Sequence, residues 1–329
     1  MDQATPYYAL TPDVVLDAIE SLGLRCDGRL LALNSYENRV YQVGIEDAAP
    51  VIAKFYRPGR WSDEQILEEH AFARELFERE IPVVAPSEIG GRTLHHCGDF
   101  RIALFPRRGG RAPELDDPDV LEWAGRFIGR IHAVGAIRAF RHRPALDARS
   151  FGCEPREFLL SGDFIPGDLR DAYAAVTEMA LASVAFCYER AGDVASIRLH
   201  GDCHPGNILW SGDGPHFVDL DDARMGPAVQ DLWMLLLGER AERARQLADV
   251  LEGYGQFRDF DLRELHLIEA LRTLRMIHYA AWLARRWDDP AFVSAFPWFN
   301  TQRYWQDHIL DLKEQLAAMD EPVPIMGQR

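Results

Sequence analysis

Leu199-His200-Gly201-Asp202-Cys203-His204-Pro205-Gly206-Asn207-Ile208-Leu209-Trp210-Ser211-Gly212-Asp213-Gly214-Pro215-His216-Phe217-Val218-Asp219-Leu220 is the stretch on which the reading of this chain turns. It sets two carboxylates, Asp202 and Asp219, and one carboxamide, Asn207, into a loop followed by a β-hairpin. Ile208-Leu209-Trp210 reads as a short apolar strand, Ser211 to Pro215 as the turn, and His216-Phe217-Val218 as the returning strand. With Leu209 opposite Phe217, antiparallel register puts Asn207 across from Asp219, about 5 Å apart. Two hard oxygen donors at one end of a hairpin suit Mg²⁺, which takes a few protein oxygens and completes its shell with water and phosphate. Asp202, on the preceding loop, is placed to orient an attacking hydroxyl or take its proton. These are the parts that phosphoryl transfer needs. Asp213 needs no role beyond that of a turn former.

Upstream, the pattern is β-rich. Leu16 to Leu22 reads as a short helix, Leu30 to Leu33 and Val40 to Ile45 as strands, and Asn34 to Asn38 as the turn between them. Val51 to Tyr56 is a third strand, Asp63 to Glu80 a long amphipathic helix, and Phe100 to Phe105 a closing strand. Lys54 stands in a strand that is apolar on both faces, a costly place for a charge unless it is paired or lines a cleft. On the helix, Ile66, Ala73 and Leu76 make the apolar stripe. Glu69 lies on that stripe and Glu68 points aside, so Glu69 is the expected partner of Lys54. Pro106 to Arg111 is a Pro- and Gly-rich connector. Beyond it, Asp119–Val134, Leu169–Arg190, Gln230–Tyr254 and Leu262–Arg286 carry a helical period. The chain from Asp320 on reads as loose. Asp231 opens a helix, where an acidic residue serves as cap or dipole partner.

The segment resembles the catalytic core of the kinase-like phosphotransferases, which include the aminoglycoside, choline and homoserine kinases. Protein kinases have His-Arg-Asp where this chain has His200-Gly201-Asp202. The resemblance implies that Asp202 is the catalytic base and that Asn207 and Asp219 hold Mg²⁺. It leaves the roles of Asp221 and Asp222 open. Val51-Ile52-Ala53-Lys54 resembles the kinase strand whose lysine binds the α and β phosphates of ATP. No Gly-x-Gly-x-x-Gly lies between the first two strands. Leu33 to Val40 stands there instead, with Ser35 and Asn38 offered to the phosphates. Phe105 and Arg107 are expected at the adenine edge, on the resemblance alone. Asp231 corresponds to the aspartate that braces the catalytic loop through its backbone.

The implied fold is α+β: a two-lobed, protein-kinase-like fold of the aminoglycoside phosphotransferase type. Residues 1–105 form a small β-rich N-lobe, 106–111 a hinge, and 112–329 a larger helical C-lobe bearing the catalytic loop and hairpin. Only Leu220 to Gln230 separate Asp219 from Asp231, with no Ala-Pro-Glu, so no activation-loop switch of the protein-kinase kind is expected. That interval leans toward a small-molecule kinase. Asn34 to Tyr41, Glu69-His70, His200 to Asn207, Val218 to Ala223 and Gln230-Asp231-Leu232-Trp233 are together similar to the bacterial stress response kinase A family. That likeness runs over nearly the whole chain and implies an ATP- and Mg²⁺-dependent serine/threonine protein kinase of stress response, able to autophosphorylate. The alternative is a small-molecule kinase acting on an amino alcohol or aminosugar. Tyr279, Trp282, Trp287, Trp298, Phe299, Tyr304 and Trp305 are expected to be mostly core.

The 329 residues suffice for two lobes with cores, and 47% apolar with 27% charged residues is ordinary for a globular enzyme. The net charge of −16 argues against a nucleic-acid partner, which needs clustered Lys and Arg. No apolar run reaches the length of a membrane span, and Met1 to Pro6 lacks the pattern of a signal peptide. The expected protein is cytoplasmic and monomeric, binds no membrane, and takes a protein or peptide acceptor with a Ser/Thr hydroxyl. Five scattered cysteines without a Cys-x-x-Cys pair argue against a disulfide framework or structural zinc.

Overall fold

The structure is a computed structural model that describes residues 7–212 and 214–323. Asp213, residues 1–6 and the chain end beyond 323, for which the sequence suggested a turn, no signal peptide and looseness, lie outside the described residues. The chain begins with α1 (Pro12–Glu20), β1 (Cys26–Leu33), β2 (Arg39–Ile45), β3 (Val51–Phe55), α2 (Asp63–Glu78), β4 (His95–Cys97) and β5 (Phe100–Pro106). Next come α3 (Pro118–Gly135), α4 (Glu154–Ser161), α5 (Arg170–Ala191) and β6 (Ile197–Leu199). The hairpin is β7 (Ile208–Ser211) with β8 (Gly214–Phe217), followed by β9 (Arg224–Gly226). The helices α6 (Gln230–Trp233), α7 (Arg240–Tyr254), α8 (Ile268–Ala284), α9 (Pro290–Ala295) and α10 (Gln302–Asp320) complete the described chain.

Packing divides the chain into two compact units. One runs through Pro113 and takes in Phe140–Arg143 and Pro205–Ala223; the other holds Glu114–Ala139, Pro144–His204 and the chain from Arg224 on. In the first unit the strands form an antiparallel sheet of order β1-β2-β3-β5-β4. Side chains alternate across it. Ala53 and Phe55 of β3 and Ile102 and Leu104 of β5 pack with Val15 and Ile19 of α1. Tyr56 and Ala103 face the other way, against Ile66 of α2. Lys54, opposite Ala103, shares that second face. A capping box starts α2: the Ser62 hydroxyl accepts from the Gln65 N–H, and the Gln65 side chain accepts from the Ser62 N–H. The helix ends two residues short of Glu80, which adopts φ 57°.

The hairpin belongs by packing to the first unit. Arg111 and Trp210 exchange backbone bonds of 3.0 and 2.7 Å, and Phe217 bonds to Pro82 and Val84 at 2.8 and 2.9 Å. Those ladders hold residues 205–223 against the chain that precedes Pro113. The register also differs from the expected one. β7 extends to Ser211 and β8 begins at Gly214, so Ile208 pairs with Phe217 and Leu209 with His216. The tighter turn slides every pair by one residue. Asn207 therefore meets Val218, whose N–H donates to the Asn207 carbonyl at 3.0 Å, and Asp219 comes one step later.

In the second unit α3 packs closely on α7. A Cβ on Gly125 would fall 2.0 Å from the Val250 carbonyl oxygen, and one on Gly253 would fall 1.9 Å from that of Glu122. Only glycine permits backbones that near. The helical period over Gln230–Tyr254 resolves into two helices, α6 and α7, because Gly238 turns the chain at φ 77°. Leu262–Leu267 is a 3₁₀ turn leading into α8. The helices α4, α9 and α10 and the three-residue strands β4, β6 and β9 are additions to the expected pattern. Trp305, Phe299 and Phe292 are fully buried with Tyr173 beneath α10 and α8, while Trp282, Trp287 and Tyr304 pack partly buried against them. Tyr279 and Trp298 stay partly exposed. Among the described residues, no helix is long and apolar enough to cross a membrane.

Candidate active site

Lys54 lies on the inner face of β3 and is buried, yet its Nζ stands 2.8 Å from Oδ1 of Asp219 and 3.1 Å from Oδ1 of Asp221. Burial by itself would strip its proton, but the two carboxylates outweigh burial and hold the ammonium charged well above its usual range. Asp221 is likewise buried, and burial would raise its pKa. Lys54 and Arg60 override that and hold it down to about 2. Arg60 binds Asp221 and also reaches Asp222 at 2.9 Å and Glu37 at 3.8 Å. Two of the three carboxylates around Arg60, Asp221 and Asp222, lie some 160 residues away in sequence, so local sequence gives no sign of them.

The expected Lys54–Glu69 pair is not formed. The 3₁₀ turn Leu220–Asp222, entered through Asp219 at φ 58° and ψ 63°, delivers carboxylates to the ammonium first. Asp is one of the few residues that tolerates this left-handed conformation. Glu69 faces inward from α2 with Oε2 buried and without a hydrogen-bond partner. Burial pushes its carboxyl up to about 7, against the opposing pull of Lys54. Glu68, set aside by the periodicity, has a different job. Its carboxylate accepts the backbone N–H groups of Arg141, His142 and Arg143 at 2.6, 2.8 and 2.8 Å. Arg143 in turn donates from Nε to the Ala223 carbonyl at 2.8 Å and reaches the carbonyl of Asp221. The turn bearing the acidic residues is thus tied to α2 through two polar links.

The other first-unit candidates are placed as follows. Ser35 is half-buried in the β1–β2 turn. Asn38 is buried and its Oδ1 accepts the Arg57 N–H at 3.1 Å, so the side chain shapes the turn and does not reach outward. Phe105 is part of the apolar cluster beside α2, edge-on to His70 at 6.3 Å. Arg107 is exposed and donates from Nε to Gln42 Oε1 at 2.8 Å.

The Asp202 loop is built within the second unit. Gly201 adopts φ 86°, which glycine allows without strain. The N–H groups of His200 and Gly201 each donate to Asp231 at 2.8 Å, and Gln230 donates to the Gly201 carbonyl at 3.1 Å. His132 approaches Asp231 at 3.0 Å and Tyr254 at 3.1 Å. Asp231 is fully buried; burial raises its pKa, and the His132 and backbone contacts bring it below the ordinary value. Asp202 follows this pinned backbone and meets Arg275 at 2.7 Å. Cys203 is buried, and burial pushes its thiol well above the usual range, so it is an inert loop residue.

The donor chemistry tests whether the first-unit residues fit a divalent ion. Lys54 and Arg60 occupy Asp221, whereas the Asp219 side chain is 51% exposed and meets Lys54 through Oδ1. Asn207 ends the 3₁₀ turn Pro205–Asn207, joined by backbone to the residue before Asp219. An amide and a carboxylate oxygen, without sulfur or imidazole, suit a hard cation such as Mg²⁺ that keeps water or phosphate in its shell. Among the described residues no group of three or more His, Cys, Asp or Glu could hold a metal.

A model of the phosphotransferase enzyme family APH matches residues 29–268. Stress response kinase A of Escherichia coli is 46% identical over 321 residues, covering 98% of this chain and 97% of that protein. Serine/threonine protein kinase RdoA of Salmonella typhimurium is also 46% identical over 321 residues, with the same coverage. Among solved structures, amicoumacin kinase hAmiN in complex with AMP-PNP, Ca²⁺ and Ami has a TM-score of 0.70 at 19% identity, covering 91% of this chain and 93% of that one. That likeness speaks for the fold alone: the two-lobed α+β architecture of kinase-like phosphotransferases. The relatives, matched nearly end to end, settle the lineage: the chain belongs to the phosphotransferase enzyme family and, within it, to the stress response kinase A family.

Proposed function

We propose that this chain is an ATP- and Mg²⁺-dependent serine/threonine protein kinase that also phosphorylates itself. The observation that carries the reading is the Asp202 loop: Asp231 pins the backbone of His200 and Gly201, and so presents one carboxylate in a set place. Asp202 accepts the proton of the acceptor hydroxyl as its oxygen attacks the γ-phosphorus. The bond to the β–γ bridging oxygen breaks, and ADP leaves. Lys54, buried and charged, moves from Asp219 and Asp221 to the nucleotide phosphates. Asn207 and Asp219 would hold Mg²⁺, which when bound would offset phosphate charge. Ser35, with backbone N–H groups of the β1–β2 turn, contacts the phosphates, and Phe105 to Arg107 border adenine. Asn38 supports that turn from within. The acceptor class follows the names of the relatives at 46% identity, serine/threonine protein kinase among them.

The test is incubation of the purified chain with labelled ATP, Mg²⁺ and a panel of serine and threonine peptides. Label on Ser/Thr of the peptides and of the chain is expected. Asp202→Asn should lower the rate by about 10²–10⁴-fold, the range for a lost general base, while ATP still binds. Undiminished turnover by that variant would remove Asp202 from the chemistry. A second reading, a small-molecule kinase, is favoured by one feature. The 3₁₀ turn Leu220–Asp222, β9 and α6 follow Asp219 in close succession, leaving no room for a long activation segment. A hydroxylated amine phosphorylated faster than every peptide would select it.

A further inference from the structure

Arg275 has no part in the roles above. It lies mid-way along α8, and its Nη1 stands 2.7 Å from Oδ1 of Asp202. The Arg275 side chain is 39% exposed and that of Asp202 23%, and the Asp202 oxygen facing the guanidinium is itself buried, so the open side of the pair is that of Arg275. His204 Nε2 lies 3.6 Å from the other oxygen, Oδ2. The carboxylate assigned to receive a hydroxyl proton is therefore bordered by a guanidinium and an imidazole. A single carboxylate oxygen engages at most two of the five N–H donors of a guanidinium, so the fork keeps donors for a second anion. Along α8 the one acidic residue is Glu269, and it is turned to Arg243 and Arg272 at 3.7 and 3.5 Å. One turn beyond Arg275, Tyr279 is partly exposed and stacks on Trp282 with centroids 5.5 Å apart. Residues 275, 279 and 282 share one helix face, so the cation is followed by a flat aromatic strip.

We propose that Arg275 is a specificity-determining residue that binds a carboxylate carried next to the acceptor hydroxyl, so that the preferred acceptor is a serine or threonine flanked by Asp or Glu. This rests on the kinase reading with Asp202 as base. The incoming carboxylate takes the free side of the guanidinium fork, brings the hydroxyl beside Asp202, and lays the adjoining residue along Tyr279. An acceptor with an ammonium at that position, such as an aminosugar or amino alcohol, sets like charge against Arg275 and is rejected.

The test uses two serine peptides that differ only in the residues flanking the serine, Glu in one and Lys in the other, with the full chain, labelled ATP and Mg²⁺. Wild type should favour the acidic peptide in kcat/KM by about tenfold or more, the worth of one charge-assisted hydrogen bond. Arg275→Gln should bring the ratio near one, Arg275→Glu should invert it, and Arg275→Lys should keep part of it. Because the ratio is internal to each variant, a partial loss of folded protein does not alter it. Equal use of both peptides by wild type, or a ratio unmoved by the Gln and Glu substitutions, overturns the proposal while leaving Asp202 as base. Failure of the kinase reading looks different: neither peptide nor the chain itself takes label, and Asp202→Asn matches wild type. That outcome overturns both.

Discussion

Replacing Asp231 by Asn keeps the shape of a fully buried side chain and removes its charge and one acceptor. In the native arrangement Oδ2 accepts from His200 N–H at 2.8 Å and faces His132 Nε2 at 3.0 Å, while Oδ1 accepts from Gly201 N–H at 2.8 Å. An Asn oxygen can occupy only one of those two positions. Placed at Oδ2, it leaves the Gly201 N–H facing an amide donor; placed at Oδ1, it strands His200 and His132. The milder choice orphans one buried N–H, at about 1–3 kcal/mol, and weakens the remaining bonds by loss of charge. The whole should destabilise the second unit by roughly 2–4 kcal/mol. Urea unfolding at neutral pH measures this, and hydrogen exchange at the His200 and Gly201 amides localises it to the loop. The pKa of Asp231 is lowered on folding, so its contribution is present above the unfolded value near 3.8 and is lost as the pH falls below it. The gap between wild type and variant should therefore close in acid. Equal unfolding midpoints at neutral pH, or faster exchange elsewhere with none in the loop, would refute the bracing role.

Two further outcomes follow from the first unit. Glu68→Ala removes one acceptor from three backbone N–H groups; water can replace it at the two exposed ones, so a loss of about 1–2 kcal/mol and partial recovery by Glu68→Gln are expected in thermal unfolding. Identical melting of all three proteins would mean that the carboxylate holds nothing in place. Glu69 is raised by burial from 4.5 to about 7, so the folded state keeps a proton that the unfolded chain has shed, and stability falls as the pH rises through that window. Relative to Glu69→Gln, wild type should lose on the order of 3 kcal/mol between pH 4.5 and 7, and parallel pH profiles of the two proteins would count against the buried carboxyl.

Much of the first unit was legible along the chain. The strands β2, β3 and β5 announce themselves by β-branched and aromatic runs and β1 by the apolar run Leu30 to Leu33, and the Ser62–Gln65 capping box marks the start of α2 near its expected residue. Lys54 lies on the face of β3 turned away from Ala53 and Phe55, as the alternation of a strand requires. The hairpin register differs by one residue from the one that the Gly and Pro content of the turn suggests, because the shorter loop slides every pair. Strands of three residues such as β4, β6 and β9 are too brief to show a period. The break between α6 and α7 was hidden by apolar residues that continue past Trp233 into the non-helical chain before Gly238.

Side-chain partnership was the harder part. That Lys54 needed an anion follows from one charge in an apolar strand, a matter of desolvation that local sequence reveals. Which anion it meets depends on where a turn 165 residues away comes to rest, and Asp219 and Asp221 reach the ammonium where Glu69 does not. The same holds for Arg60, for Arg143 on the carbonyls of the acidic turn, and for Arg275 against Asp202. Backbone periodicity and capping act over a few residues and are written in neighbours. Coulombic pairing acts over a few ångströms and has no counterpart in sequence separation, so it exists only once the strands and helices have packed.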